Sequence, residues 1–226
     1  DLAWSRGLGD VYKRQTYMRA HTKETQAQMT PDSSLQELIN GNQRFTQKKE
    51  LERNLMQQVK ETSTGQYPHS TILSCIDSRV SSELIFDQGI GDIFSARIAG
   101  NFINEDILGS MEFACKLAGT KLLVVLGHTA CGAVKGACDH ARLGNLTALI
   151  KKIEPAVAAV INPKDEALRN SENIDFVNEV AKKNVLMTLD NIRVNSEVLA
   201  EMEQKGEIKI IGGMYNINTG IVDFYK

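Results

Sequence analysis

Along residues 35–45 the apolar positions fall at Leu35, Leu38, Ile39 and Phe45, a recurrence of three to four that predicts a helix. Ser33 or Ser34 can cap it, with Glu37 three residues after Ser34 completing a capping box. Residues 18–34 upstream are polar and read as irregular. The period then changes. Residues 71–76 (TILSCI) are apolar and partly β-branched, follow Gly65 and Pro68, and read as a buried strand. Residues 93–101 (IFSARIAGN) read as a second strand ending in a glycine turn, after which Asn104 caps a helix bearing Ile107, Leu108, Met111, Cys115 and Ala118. Residues 121–128 (KLLVVLGH) are apolar on both faces, as a central parallel strand covered by helices must be. Two more helices are predicted, over about 146–161 with a stop near Pro163, and over about 174–205. The second carries Phe176, Val177, Val180, Leu189 and Ile192 and is ended by Gly206. Finally IKIIGGMYN and TGIVDFY pair as strands around residues 216–220. Strand and helix in alternation give an α/β fold. Its central sheet is mostly parallel and flanked by helices, with an N-terminal helical arm and a C-terminal strand pair, in one domain over residues 35–226.

Composition narrows the partners. The 226 residues are 42% hydrophobic and 24% charged with a net charge of −2. That balance gives no electrostatic basis for binding nucleic acid or an anionic membrane, so small substrates are the expectation. No apolar run approaches the roughly 18 residues that span a bilayer. Residues 1–17 lack both periodicity and the apolar stretch of a secretory signal. Residues 1–15 resemble translated adapter read-through, which makes Met18 the expected first native residue. The four cysteines, Cys75, Cys115, Cys131 and Cys138, are too few and wrongly spaced for a disulfide scaffold. Metal or catalytic use in a reducing, cytoplasmic setting is expected instead.

Two of the apolar strands end in polar segments, Cys75-Ile-Asp77-Ser-Arg79 and Gly127-His128-Thr-Ala-Cys131-Gly132. Sites in open parallel sheets form at the carboxyl ends of strands, so these segments are placed to converge across the 53 positions separating Cys75 from His128. Two thiolates and an imidazole form a soft ligand set that selects zinc over magnesium or calcium. Three such ligands leave a fourth tetrahedral position for water or for Asp77. Two thiolates neutralise the metal's charge, so water at that position needs help to ionise. Asp77 and Arg79, two apart on an extended segment, share a face, and the guanidinium can hold the carboxylate through two hydrogen bonds. Held so, Asp77 can orient a hydroxide; released, it can swing onto the metal as a conditional fourth ligand.

CIDSRV together with GHTACGAV is similar to the paired signature of β-class carbonic anhydrases. GDIFSARIAGN and the early GNQRF resemble further segments of that family in the same order. The likeness covers about residues 35–225. It implies zinc on Cys75, His128 and Cys131, and Asp77 with Arg79 as the dyad. It also implies a lyase hydrating carbon dioxide reversibly to bicarbonate and a proton through a zinc-bound hydroxide, assembled as a homodimer or homotetramer with its sites near subunit interfaces. Against the plant-like branch, Gln66 and Phe86 fall at the positions of two pocket residues. Phe113 stands where a tyrosine is expected. Ile72 occupies the place of the tryptophan typical of the bicarbonate-regulated branch, so that regulation is not expected. Gly132, after the last ligand, lets substrate approach the backbone. The alternatives are hydrolysis of carbonyl sulfide or carbon disulfide on the same zinc, or a silent zinc- or bicarbonate-binding protein. A thiol redox protein lacks its C-x-x-C pair. Of the other candidates, Cys115 and Cys138 read as small buried hydrophobes, His21, His69 and His140 as surface histidines, and Arg97 as a structural tie.

Overall fold

The computed structural model describes residues 19–225, so the reading of residues 1–17 lies outside them. The segment read as irregular instead forms a short helix α1 (Lys23–Gln28), capped by Thr22. Helix α2 (Pro31–Thr46) begins earlier than expected because Thr30, not Ser33 or Ser34, is its cap. The Thr30 hydroxyl accepts from the Ser33 amide and the Ser33 hydroxyl accepts from the Thr30 amide, while Pro31 supplies a pre-set first turn. Helix α3 (Leu55–Thr62), which the apolar pattern did not reveal, precedes strand β1 (Ser70–Ser74). Then follow α4 (Ser82–Ile85), β2 (Ile93–Arg97) and α5 (Glu105–Glu112), which runs on as a π-turn over Phe113–Leu117.

Strand β3 (Leu122–His128) leads into α6 (Gly132–Cys138), α7 (Leu146–Lys151) and α8 (Glu154–Ala159). The single helix expected over 146–161 is thus two, with Pro155 in the first turn of the second. The helix expected over 174–205 is also two, α9 (Ile174–Asn195) and α10 (Glu197–Gln204). Ser196 separates them: its extended backbone ends α9, and its hydroxyl caps α10 by accepting from the Leu199 amide. Strands β4 (Lys209–Tyr215) and β5 (Val222–Tyr225) close the chain as an antiparallel pair.

The sheet order is β2-β1-β3-β4-β5, with the first four strands parallel. Alternate residues of each buried strand supply two separate core layers, as a period of two requires. Leu73, Leu123 and Val125 face Met111, Val134, Phe176 and Val180 on one side. Ile72, Leu122, Val124 and Leu126 face Leu38, Ile85 and Phe86 on the other. Gly127 lets α9 lie close to β3: a Cβ there would stand 2.6 Å from a methyl carbon of Val185. Because Ser74 pairs with Leu126 in parallel register, the chain leaves β1 and β3 at the same sheet edge.

Behind that edge, Asp87 (4% exposed, φ 46°) anchors α2. Its carboxylate accepts from Arg44, Arg53 and the Leu51 amide, and Arg53 also donates to its carbonyl. The Arg44 and Arg53 side chains are only 21% and 12% exposed. Asp87→Asn keeps the left-handed backbone accessible but removes the counter-charge from two largely buried guanidinium groups, so we expect a loss of about 3–5 kcal/mol in denaturant unfolding. A loss below about 1 kcal/mol would mark the cluster as solvent-screened.

Candidate metal centre

Cys75 is the first residue after β1, His128 the last of β3, and Cys131 the N-cap of α6. Two strand ends and one helix cap thus bring three ligand atoms within 4.8 Å of one another, all on buried residues. The sulfur atoms of Cys75 and Cys131 are 3.9 Å apart. That is far beyond a disulfide and close to the roughly 3.8 Å edge of a tetrahedron with ~2.3 Å zinc–sulfur bonds. His128 is fully buried, and its Nδ1–H donates to the Thr129 carbonyl at 3.0 Å, which leaves the Nε2 lone pair free. That Nε2 is a buried atom without a hydrogen-bond partner among the described residues, facing the two sulfurs. A buried nitrogen without a partner is costly unless a cation takes its lone pair, and two cysteines with one histidine is a zinc donor set.

The thiols differ in their surroundings. Cys75 is pulled towards the thiolate, first by the Cys131 thiol donating to it and also by the Gly100 amide 3.4 Å from its sulfur. Cys131 is pushed up by that same contact and by burial. A divalent cation displaces both protons. Gly100 reaches this sulfur with φ +80°, a conformation that side chains disfavour.

Asp77 stands beside the ligands, with Oδ2 3.8 Å from His128 Nε2. Both of its oxygens are taken by Arg79: Nε donates to Oδ1 at 2.9 Å, Nη2 to Oδ2 at 2.7 Å, and the Arg79 amide to Oδ1 at 3.0 Å. This fork holds the carboxyl well below the usual carboxylate range, so it remains ionised. Arg97 ties the segment from behind, donating to the carbonyls of Cys75 and Asp77 at 3.0 and 2.7 Å. Asp77 and Arg79 thus form the two-bond pair that their spacing allows, and Arg97 is a tie within the chain.

The remaining candidates divide. Gly132 is exposed, and a Cβ there would meet nothing within 4 Å, so the space before the first turn of α6 is open. Gln66 is exposed and lies before β1, at the end of the strand away from Cys75, so within one chain it does not reach the centre. Phe86 corrects the expectation of a pocket residue: it is fully buried in the opposite core layer and stacks on Phe224 with ring centroids 5.9 Å apart. The C-terminal turn of α4 directs it inward. Phe94, which spacing did not single out, is the aromatic residue near Phe113. The two rings meet edge to face at 6.3 Å in a cleft of about 710 Å³ between β2 and α5. Cys115 and Cys138 are buried core thiols, both raised by burial.

His69, expected at the surface, is instead fully enclosed. Ser70 Oγ lies 2.8 Å from Nδ1, Gln88 Oε1 lies 3.0 Å from Nε2, and the His21 ring packs 5.3 Å away. Burial lowers its pKa. As pH falls the unfolded chain, at about 6.5, therefore takes the proton first, and the stability held by neutral His69 drains away from there towards its folded value. Thermal melts of His69→Gln are expected to lose less midpoint between about pH 7 and 5 than the parent; an unchanged slope would place the acid sensitivity elsewhere.

Two thiols and an imidazole gathered at the carboxyl ends of two parallel strands, with an adjacent carboxylate–guanidinium pair, define a zinc enzyme on an α/β sheet. A family model described as carbonic anhydrase matches residues 70–222, spanning both ligand segments. Carbonic anhydrase 2 of Mycobacterium tuberculosis is 33% identical over 163 residues, 70% of this chain and 74% of that protein. The structure of the β-carbonic anhydrase CcaA superposes with a TM-score of 0.67 at 26% identity, covering 85% of this chain and 92% of the other. The fold is also that of one of two tetrameric β-carbonic anhydrases from Sordaria macrospora, at TM-score 0.66, 22% identity and coverage of 73% and 84%. This chain belongs to the carbonic anhydrase family, in its β class.

Proposed function

We infer that the protein is a carbonate dehydratase, a zinc lyase that interconverts carbon dioxide and bicarbonate. The observation that carries this reading is the buried Cys75, His128 and Cys131 set with Asp77 held against it by Arg79. Cys75, His128 and Cys131 would hold zinc, which would supply a hydroxide nucleophile near neutral pH and a counter-charge for substrate oxygen. Asp77, kept ionised and held by Arg79, would accept a hydrogen bond from that nucleophile and so orient it. Gly132 leaves backbone open to substrate at the helix start. The family comparison does not favour carbonyl sulfide or carbon disulfide hydrolysis. Stopped-flow hydration measured with zinc content, before and after chelation and zinc return, tests the reading. Activity should track zinc at about one per chain, and hydration that persists in zinc-free protein overturns it.

We further propose self-association. Strand β2 is an edge strand, half-exposed along its length, and its cleft with α5 carries Phe113 outward while Ile76, Leu84 and Leu117 are exposed. Gln66, remote from its own metal centre, would serve as a polar anchor only at that of a second copy. Four cysteines, too few and wrongly spaced for a disulfide scaffold, favour a reducing, cytoplasmic setting. Ile72, fully buried within β1, supports the branch without the second bicarbonate site.

A further inference from the structure

Neither ligand loop holds its shape alone. Ala130, between His128 and Cys131, has φ +53°, a left-handed conformation that costs a non-glycine residue about 1 kcal/mol or more. Gly100, whose amide donates to the Cys75 sulfur, stands in a loop that begins after the edge strand β2. One helix reaches both loops. On α9, Asn178 Oδ1 accepts from the Ala130 amide at 2.8 Å, which satisfies that amide in the left-handed turn. Six residues on, Asn184, 3% exposed, donates from Nδ2 to the Gly100 carbonyl at 2.8 Å. Gly100 is thus held at its carbonyl by Asn184, while its own amide, on the other side of the same Cα, points at the sulfur. Six residues of α-helix rise about 9 Å, a fixed spacer between the two attachments. Helix α9 is in turn locked to the sheet by Val177, Val180 and Val185 in the core layer under β3.

We propose that Asn178 and Asn184 are positioning residues for the metal centre, through which α9 fixes the Cys131 loop and the Cys75 sulfur relative to each other. Their demands are opposite: position 178 needs an acceptor and position 184 a donor. That polarity separates positioning from plain packing. Partners in the shell around a ligand typically change metal affinity by about 10–100-fold.

The inference rests on the zinc reading, and the test tells their failures apart. Zinc release from purified holoenzyme to a colorimetric chelator is followed for the parent, Asn178→Leu, Asn178→Asp, Asn184→Leu and Asn191→Leu, with melting curves alongside. Should Asn184→Leu not fold, Asn184→Ala replaces it. We expect release to quicken about 10–100-fold in Asn178→Leu and Asn184→Leu, and to stay near the parent rate in Asn178→Asp and in Asn191→Leu, a control on the same helix. In the cobalt-substituted protein, Asn184→Leu should also shift the thiolate-to-metal absorption band, because the sulfur loses an aligned N–H. Parent-like release in both Asn178→Leu and Asn184→Leu overturns the proposal while leaving zinc in place, and so does equal quickening in all four variants. A parent protein that holds no zinc overturns the functional reading itself.

Discussion

Asp77→Asn is expected to slow carbon dioxide hydration by about 10²–10⁴-fold while zinc stays bound, the range spanned by a positioned proton-accepting group. The substitution is nearly isosteric, and the new carbonyl oxygen can still accept from the Arg79 amide and Nε where Oδ1 does now. The amide nitrogen, however, faces Nη2, which now donates to Oδ2 at 2.7 Å, so the fork loses one of its bonds. More important, a donor replaces the acceptor beside the ligands, and the nucleophile loses the group that orients it. Hydration near the parent rate with zinc retained would remove Asp77 from the chemistry. The companion variant Arg79→Leu separates the two roles of the carboxylate. With no guanidinium to hold it, Asp77 is free to enter the fourth position. The expected result is low activity with four protein donors by X-ray absorption, whereas Arg79→Lys keeps the charge but not the paired hydrogen bonds.

The parts of this site that were legible in the sequence are those set by local pattern. Strands β1 and β3 are covered on both faces, so they appear as short apolar runs, and the polar residues that end them are conspicuous for that reason. Ligand identity followed from residue type, and Asp77 with Arg79 from spacing along one extended segment. Gln66 and Phe86 are different. Nine positions before Cys75 cross the whole of β1 and leave Gln66 beyond its far end, which rise per residue alone would have shown. Phe86 turns on the conformation of α4, four residues long, and no periodicity is readable over so short an element. The breaks within the two long helical patterns were hidden because packing continues across them. Ile192 and Leu199 both face the core on either side of Ser196, so the apolar repeat runs on where the backbone does not. His69 next to Pro68 resembles a loop residue. Its burial is produced by Gln88 and His21, distant in sequence and invisible to any window. The two asparagines of α9 were overlooked for the same reason, since their partners lie 48 and 84 positions away.

The larger loss is expected from Cys131→Ser, which should leave a folded, essentially zinc-free and inactive protein. Serine oxygen is a poor substitute for thiolate on a soft metal, so zinc affinity should fall by more than the about 100-fold typical of a mere supporting partner. Without zinc the pKa of that water returns from about 7 to its far higher bulk value, and the hydroxide that drives hydration at neutral pH disappears. The fold has reason to survive. Cys131 is the N-cap of α6 and makes no side-chain capping bond there, whereas serine is among the preferred caps and can accept from an amide of the first turn. This makes the variant more informative than loss of the fully enclosed His128 ring, which would open a cavity between β3 and α6 as well as remove a ligand. Zinc bound only by the native state stabilises it by mass action, so the parent should melt at a lower temperature after chelation while Cys131→Ser melts at the same temperature with or without chelator. A variant that keeps stoichiometric zinc and turns over carbon dioxide would show that Cys131 does not hold the metal, and with it the centre drawn from Cys75, His128 and Cys131 would fall.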